Sequence, residues 1–214
     1  MSKVKVIAFS VSLDGYGAGT AQNIDNPLGT RGHELFTWFY QTKTFQKIIG
    51  KEGGTEGIDN AVAENSFENV GACIMGRNMF GPIRGQWEND DWKGWWGEDP
   101  PFHVPVFVLT HYERNPIKMK GGTEFYFVTD GIESALEQSK RVADGKDIRV
   151  GGGISTIHQF LKAGYIDEIR IAFSPIFLGS GEHLFSGIDL PALGFTQIQK
   201  INGEDATHIT LTKK

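Results

Sequence analysis

The run Asp147-Ile148-Arg149-Val150-Gly151-Gly152-Gly153-Ile154-Ser155-Thr156 decides the fold, because a β-type segment passes through three glycines into helical spacing. Glycines leave backbone N–H groups free to approach a phosphate, and a helix N-terminus adds partial positive charge. The hydroxyls of Ser155 and Thr156 would supply further donors. A tight turn followed by an ordinary helix cap is the alternative interpretation of the same run.

The same alternation of apolar segments, turns and helical spacing extends over the chain on both sides of this run. Strands are predicted over residues 4–11, 72–75, 106–109, 125–128, 147–150, 166–173, 195–201 and 207–211. Helical segments are predicted over residues 33–49, 58–67, 132–142 and 154–163, with a short helical turn over 76–80 and a glycine-rich loop over 13–30. Alternating strands and helices predict an α/β fold with a mostly parallel sheet, helices on both faces and a C-terminal antiparallel hairpin. We expect one domain over residues 1–214.

Composition excludes several classes of protein. The 26 acidic and 21 basic residues give a net charge of −5, which argues against a cationic nucleic-acid clamp. The lone Cys73 excludes an internal disulfide or a thiolate-rich metal site, and the six histidines are scattered, so we predict no metal. No apolar run reaches the ~18 residues of a membrane span, and residue 4 opens directly into a strand without a signal-peptide pattern. We therefore expect a soluble cytoplasmic protein without nucleic-acid or membrane partners.

Two further strand ends carry side chains that suit a phosphate. In Gly76-Arg77-Asn78-Met79 the guanidinium suits the 2′-phosphate that distinguishes NADPH from NADH. Thr110-His111 would add a hydroxyl and an imidazole. The alternatives are a solvated arginine, a capping threonine and a surface histidine. The chain lacks GxGxxG at its first βα turn and lacks GxxxxGK[ST], so ordinary Rossmann and P-loop sites are excluded.

The motifs together resemble a known superfamily. They are Ile74–Phe80, Val108–His111, Val150–Gly153 with its helix, Tyr165–Ile169 and Pro175–Phe185. This combination resembles the dihydrofolate reductase-like superfamily, and more closely the reductase domain of bacterial bifunctional riboflavin deaminase-reductases and their stand-alone relatives. The resemblance spans essentially the whole chain. The zinc signature of the deaminase half is absent, so only the reductase half is represented.

The resemblance implies a three-layer fold and NADPH as cofactor. Gly76, Arg77, Asn78 and Met79 would hold the adenosine phosphate side, with Thr110 and His111 nearby. The pyrophosphate would lie on Gly152, Gly153, Ile154, Ser155 and Thr156, and the nicotinamide beside Ala8 and Phe9. The resemblance also predicts a cis peptide bond within residues 151–153.

The catalytic acid is less well defined by the resemblance. Dihydrofolate reductases place an acid at the start of the helix that follows the mobile loop, where Glu34 is the nearest acid here, although another register puts Leu35 at that position. Asp14, beside the glycine-rich loop, is the second candidate. A first-turn acid favoured by the helix dipole and a turn-forming aspartate are the respective structural alternatives.

A tryptophan-rich segment, residues 87–102, contains four of the five tryptophans. Its flat aromatic side chains suit a planar heterocycle or a dimer contact, and a local hydrophobic cluster is the alternative. The acids Glu88, Asp90, Asp91, Glu98 and Asp99 would repel a nucleic-acid backbone. We expect a homodimer from the family resemblance and from this segment.

The sequence therefore predicts an NADPH-dependent reductase that transfers a hydride to a C=N or C=O of a small, heterocyclic substrate of pteridine or pyrimidine type. The proton would come from Glu34, Asp14 or ordered water, and the loop over residues 13–30 would act as a lid. Two alternatives stay open at this stage: a nucleotide-binding sensor without turnover, and an assembly module that uses residues 87–102.

Overall fold

The computed structural model describes residues 2–88 and 91–214. In those residues the strands are β1 (Val4–Ser12), β2 (Tyr16–Ala18), β3 (Val70–Gly76), β4 (Pro105–Leu109), β5 (Ile117–Lys118), β6 (Glu124–Val128), β7 (Asp147–Gly152), β8 (Glu168–Ser174), β9 (Glu182–His183), β10 (Phe195–Asn202) and β11 (Thr207–Lys213). The α-helices are α1 (Thr37–Tyr40), α2 (Lys43–Ile48), α3 (Ile58–Asn65), α4 (Arg77–Phe80), α5 (Ile132–Val142) and α6 (Ile154–Lys162), and 3-10 helices span Gly32–Phe36 and Lys120–Gly122. None of these helices is long and apolar enough to cross a bilayer.

The central sheet has nine strands in the order β10-β11-β8-β1-β7-β3-β4-β6-β5. The six strands from β8 to β6 run parallel, while β11 joins β8 in antiparallel orientation and β10 pairs with β11 as a hairpin. This arrangement confirms the predicted α/β class with its C-terminal antiparallel hairpin. Parallel neighbours need crossover connections, and several of these run through the helices α1–α3, α5 and α6.

Because side chains alternate along a strand, the two faces of the sheet pack into different hydrophobic cores. On one face, Ala72 and Ile74 of β3 belong to the same core as Ile157 and Phe160 of α6. On the other face, Cys73 packs in a second core with aromatic residues of α4 and of the tryptophan-rich segment. Burial raises the pKa of the Cys73 thiol to about 11, so this thiol is neutral and packs as a small apolar group.

The second face has a further cover next to the tryptophan-rich segment. Trp38 of α1 and Ala63 of α3 pack on Ala172 of β8. The C-terminal hairpin holds this cover in place, because buried Asp59 of α3 lies 2.6 Å from His208 Nε2 of β11 and accepts a hydrogen bond from the Asp205 amide of the hairpin turn at 2.7 Å. The covers built from α1–α3 and from residues 87–102 thus lie on the same face of the sheet and frame the site described below.

The predicted single helix over residues 33–49 is wrong. The chain instead forms the 3-10 helix, α1 and α2 in succession, with a break at Thr42. Thr42 is buried and extended, and its hydroxyl accepts a hydrogen bond from the Phe45 amide at 3.1 Å, which makes it the N-cap of α2. Apolar spacing predicted the buried side of this segment but could not reveal a cap inside it.

The glycine-rich loop over residues 13–30 is folded back on itself rather than extended. Its β2 pairs with β9, and the Gly19 amide donates to the Leu28 carbonyl at 2.9 Å. A Cβ at Gly19 would overlap the backbone of Thr30, so this close approach requires glycine. Strands of two or three residues are too short to show alternation, and for that reason β2, β5 and β9 escaped the sequence analysis.

Candidate active site

A cavity of about 760 Å³ lies on the second face of the sheet, between the α1–α3 cover and the tryptophan-rich segment. Its floor is formed by residues near the carboxyl ends of β1 and β7, where ligands bind in open α/β sheets. One end, at Gly152, Gly153 and Ile154, is formed largely by backbone and small polar side chains, and we call it the glycine end. The other is formed by aromatic side chains, and we call it the aromatic end.

The glycine end is built around the transition from β7 to α6. Gly152, Gly153 and Ile154 all line the cavity, and Gly153 is the N-cap of α6. The predicted cis peptide bond is confirmed between Gly152 and Gly153. Because a Cβ at Gly153 would meet only Glu182, at 3.8 Å, backbone rather than side chain forms this part of the wall.

The other two residues predicted on this turn lie outside the cavity. Ser155 is exposed and faces a smaller neighbouring hollow that His158 and His183 also line. Thr156 is buried beneath Gly76, where a Cβ on Gly76 would overlap its hydroxyl. Gly76 and Thr156 therefore bring β3 and α6 together, instead of forming part of the cavity wall.

The first strand contributes Ala8 and Phe9, the residues predicted to border the nicotinamide, and both line the cavity. The register between β1 and β8 shifts between Val6 and Phe9, and Ala8 has a positive φ of 52°. A bulge of this kind leaves a residue outside the regular ladder and is common beside active sites. The backbone of β1 is thus irregular at the point where it meets the cavity.

A chain of hydrogen bonds connects three segments at the glycine end. Asn78 Nδ2 donates to Gln22 Oε1 at 2.9 Å, and Gln22 Nε2 donates to Glu182 Oε1 at 3.0 Å. All three residues line the cavity, as does Met79. Asn78 and Met79 were predicted here, whereas Gln22 and Glu182 were missed because their approach depends on the pairing of β2 with β9.

The other predicted phosphate-binding residues lie at the same edge of the sheet but outside the cavity lining. The Arg77 guanidinium stacks 3.7 Å from the centre of the Trp87 ring, and it donates to the Gly85 carbonyl. Thr110 is buried, with its hydroxyl accepting from the Tyr112 amide at 3.3 Å. His111 is exposed. These residues directly follow the ends of β3 and β4. They lie at the same edge of the sheet as the cavity, but they do not line its wall.

Neither of the two predicted catalytic acids lines the cavity. Glu34 forms a two-pronged ion pair with Arg31, with both N–O distances 2.8 Å, and this hydrogen bonding lowers the Glu34 pKa. Asp14 accepts from the amides of Leu178 and Gly179 at 3.1 and 2.7 Å. Although burial raises the Asp14 pKa, its hydrogen bonds outweigh that effect and lower it overall.

Both acids therefore carry structural contacts and are ionised at neutral pH. Leu35, the residue that the alternative register places at the acid position, is fully buried. The structure brings no predicted proton donor into contact with the floor of the cavity.

The tryptophans of the tryptophan-rich segment fall into two groups, and one of these groups lines the aromatic end of the cavity. Trp95 and Trp96 line the cavity, and the indole N–H groups of both donate to the Met79 carbonyl, at 2.7 and 2.9 Å. Trp87 and Trp92 instead pack around Phe80 in the second core. Of the five acids that the sequence analysis placed around these rings, Asp90 lies outside the described residues.

The opposite wall of the aromatic end comes from α1–α3 and the segments before, between and after them. It includes Phe36, Trp38, Phe39, Tyr40, Phe45 and Phe67. Trp38 is fixed by a hydrogen bond from its indole N–H to Ser10 Oγ at 3.0 Å. Burial raises the pKa of Tyr40, so its phenol stays protonated at neutral pH. Arg149, at the floor of the cavity, completes the lining and was not predicted.

Comparisons with known proteins agree with this architecture. The family model described as the RibD C-terminal domain matches residues 4–206. The Bacillus subtilis (strain 168) "Uncharacterized protein YyaP" is 32% identical over 145 residues, covering 64% of this chain and 73% of YyaP.

Two solved structures show the same fold. A "Putative riboflavin biosynthesis protein" of Shewanella sp. PV-4 is 22% identical, with a TM-score of 0.59 over 100% of this chain and 99% of the other. The dihydrofolate reductase of Enterococcus faecalis, complexed with NADP(H) and RAB-propyl, is 12% identical, with a TM-score of 0.50 over 99% and 96%. The match over residues 4–206 shows that the chain belongs to the RibD C-terminal domain family.

Proposed function

We propose that this chain is an NADPH-dependent reductase that acts on a C=N or C=O bond of a small, planar, heterocyclic acceptor. The observation that carries the proposal is that one cavity combines a glycine end that suits a dinucleotide with an aromatic end that suits a flat ring. Membership of a reductase-type family supports the redox class. The likeness to a dihydrofolate reductase complexed with NADP(H) supports the cofactor.

The residues of the glycine end fit the diphosphate of a dinucleotide. The start of α6 presents N–H groups whose partial charge favours an anion, and Gly153 leaves room beside them. Asn78 adds an amide donor on the facing wall. Glu182, also on this wall, accepts a hydrogen bond from Gln22, and the cofactor would have to displace this hydrogen-bonded bridge when it binds.

NADPH, when bound, supplies a hydride from the nicotinamide ring. The residues of the chain then have three tasks, which are to hold the cofactor, to position the acceptor and to exclude water. Ala8 and Phe9 line the cavity and would border the nicotinamide, while Trp95 and Trp96 would enclose the acceptor ring. Because Glu34 and Asp14 are ionised and lie outside the cavity lining, we assign the accompanying proton to water.

A fluorescence titration tests the cofactor assignment. NADPH should quench the emission of Trp95 and Trp96 in a saturable manner, and Gly153→Val, which fills the glycine end, should abolish this quenching. Ala163→Val also introduces a valine, by adding two methyl groups at the exposed C-terminal end of α6, and serves as the control. Unchanged NADPH binding by Gly153→Val would contradict the proposed site.

Turnover and assembly are tested separately. Oxidation of bound NADPH in the presence of pterins, pyrimidines or quinoid compounds would distinguish a reductase from a nucleotide sensor. The expected homodimer stays a prediction, which light scattering of the purified protein would test.

A further inference from the structure

Arg149 is a buried cation for which the described residues provide no anionic partner. It lies in the centre of β7, is 7% exposed and forms part of the cavity wall. In residues 2–88 and 91–214 no hydrogen bond or ion pair involves its guanidinium, and its Nε is enclosed without a partner. A guanidinium keeps its charge at neutral pH, and a buried charge without a partner is costly.

The residues beside Arg149 in the sheet do not neutralise it. Its register partners are Cys73 on β3 and Lys5 on β1. The Cys73 thiol is neutral, and Lys5 is itself a cation. Asp147 precedes Arg149 by two residues on the same face of β7, but it is held by Lys5 at 2.6 Å and by Asn69 at 3.2 Å.

The acids that line the cavity are also engaged elsewhere. Glu98 pairs with Lys120, Asp99 faces His103 at 3.8 Å, and Glu182 accepts from Gln22. The guanidinium also faces the Phe67 ring, 5.6 Å from its Cζ atom, and this ring attracts a cation but does not cancel its charge. The charge of Arg149 is therefore left for a ligand that enters the cavity.

We propose that Arg149 binds a carboxylate of the acceptor, and that the substrates are planar aromatic or heterocyclic carbonyl or imine compounds that carry a carboxylate. The identity of the cavity as the acceptor site rests on the function proposed above. A guanidinium pairs with both oxygens of a carboxylate, which would fix the orientation of the ring between Phe67 and the tryptophans. Arg149 is thus a specificity-determining residue.

A carboxylate fits this cavity better than a phosphate. Arg149 is the one Lys, Arg or His among the described residues that line it, and its surroundings are mainly aromatic. A single fork of donors matches the two oxygens and single charge of a carboxylate. A phosphate would bring more oxygens and more charge than one buried arginine can satisfy.

Calorimetric titration with two ligands of the same ring size tests the proposal. The first probe is 2-naphthoate and the second is the neutral 2-naphthalenemethanol. We expect the wild-type protein to bind 2-naphthoate at least tenfold more tightly than the alcohol. Arg149→Met should lose this preference at least tenfold, while its affinity for the alcohol stays within about threefold. Arg149→Lys, which keeps the charge but loses the fork, should fall between the two.

The controls separate folding and cofactor binding from acceptor recognition. Arg141→Met makes the same change on the exposed surface of α5 and should leave both affinities unchanged. Arg149→Met should unfold at the same temperature as the wild type or higher, because it removes a buried charge that has no partner.

The outcomes distinguish this proposal from the proposed function. Equal naphthoate affinity in the wild type and Arg149→Met, or no naphthoate binding by the wild type, would overturn the assignment of Arg149. A loss of NADPH binding in Arg149→Met without a loss of naphthoate binding would overturn it too, because the arginine would then serve the cofactor. If the wild type binds 2-naphthoate through Arg149 but does not bind NADPH, the carboxylate site stands and the reductase proposal fails.

Discussion

A single methyl group at Gly76 should push the end of β3 against the first turn of α6. A Cβ at Gly76 would come closer than 3.0 Å to Thr156 Oγ1, while the next neighbours lie 3.7 Å away. Gly76 has φ −78° and ψ 158°, a conformation that any residue adopts, so the backbone adds no strain of its own. The effect of Gly76→Ala therefore reports one steric contact.

The size of the effect follows from the burial of Thr156. This side chain is 5% exposed and is enclosed at the junction of β3 and α6, so its hydroxyl cannot simply move into solvent. Overpacking of this kind costs about 1–3 kcal/mol, and each kcal/mol lowers the melting temperature of a domain of this size by about 2–4 °C. Thr156→Ala alone should cost about 1 kcal/mol, the usual size of a point-mutation effect.

Combining the two substitutions removes the clash. Because Thr156→Ala deletes the hydroxyl that the new Cβ would meet, the double variant should be no less stable than Thr156→Ala alone. The expected coupling free energy is about 1–3 kcal/mol in favour of the double variant, which is the full cost of the clash and lies within the range measured for residues in contact. Thermal and denaturant unfolding of the four proteins would provide this value.

A matched control lies in the same part of the molecule. Gly153→Ala adds a methyl group where φ is −64° and the nearest atom is Glu182 Oε2 at 3.8 Å, so its effect on stability should be small. Additive losses in the double variant would refute the contact between Gly76 and Thr156. NADPH binding should be weakened in Gly76→Ala and recover in the double variant, because the same clash displaces the start of α6.

Three further predictions test the cofactor contacts and one ion pair. Arg77→Ala should weaken NADPH binding about 10- to 100-fold and leave the affinity for NADH nearly unchanged, since a hydrogen bond to a charged group contributes about 1.5–3 kcal/mol. Arg141→Ala is the control. Equal losses of affinity for both cofactors would mean that Arg77 does not contact the 2′-phosphate. Gln22→Ala breaks the bridge over the glycine end and should raise the association rate of NADPH in stopped-flow measurements without lowering the melting temperature, so an unchanged rate would count against the bridge as an obstacle. Burial raises the pKa of Asp147, but Lys5 and its other hydrogen-bond donors lower it overall below the ordinary 3.8, so its contribution to stability is present above that pH and is lost as the pH falls through the folded-state pKa. Asp147→Asn should therefore destabilise the protein at pH 7 and make little difference near pH 2, and an equal loss at both pH values would show that the charge of Asp147 is not responsible.

Sequence patterns predicted the elements that are long or that have strong local signals. The strand, glycine and helix succession over residues 147–162 was found because backbone conformation and amino-acid type are tightly linked there. The division of residues 33–49 was missed because the capping hydrogen bond of Thr42 operates inside an otherwise continuous apolar pattern. A local side chain to backbone contact leaves no trace in hydrophobic spacing.

Site residues were predictable where the backbone itself forms the site. Gly152, Gly153 and Ile154 lie on the cavity wall, as do Ala8 and Phe9, because the end of a strand and the start of a helix determine their positions. Gln22 and Glu182, by contrast, meet only because β2 pairs with β9 over a separation of 160 residues along the chain. A two-strand pairing of that length scale has no signal in one sequence.

The two ends of the cavity consequently differ in which residues can be substituted without loss of the fold. At the glycine end the cofactor contacts come mainly from the backbone at the junction of β7 and α6, so they are tied to the fold. At the aromatic end the walls are side chains from segments that also pack elsewhere, and in the described part of the chain no hydrogen bond or ion pair depends on the charge of Arg149. Replacing Arg149 by another side chain of similar volume alters what the cavity attracts and leaves the sheet intact. The fold therefore constrains the identity of the acceptor less than it constrains cofactor binding. Binding measurements on Arg149 variants are the direct way to determine which acceptors the cavity takes.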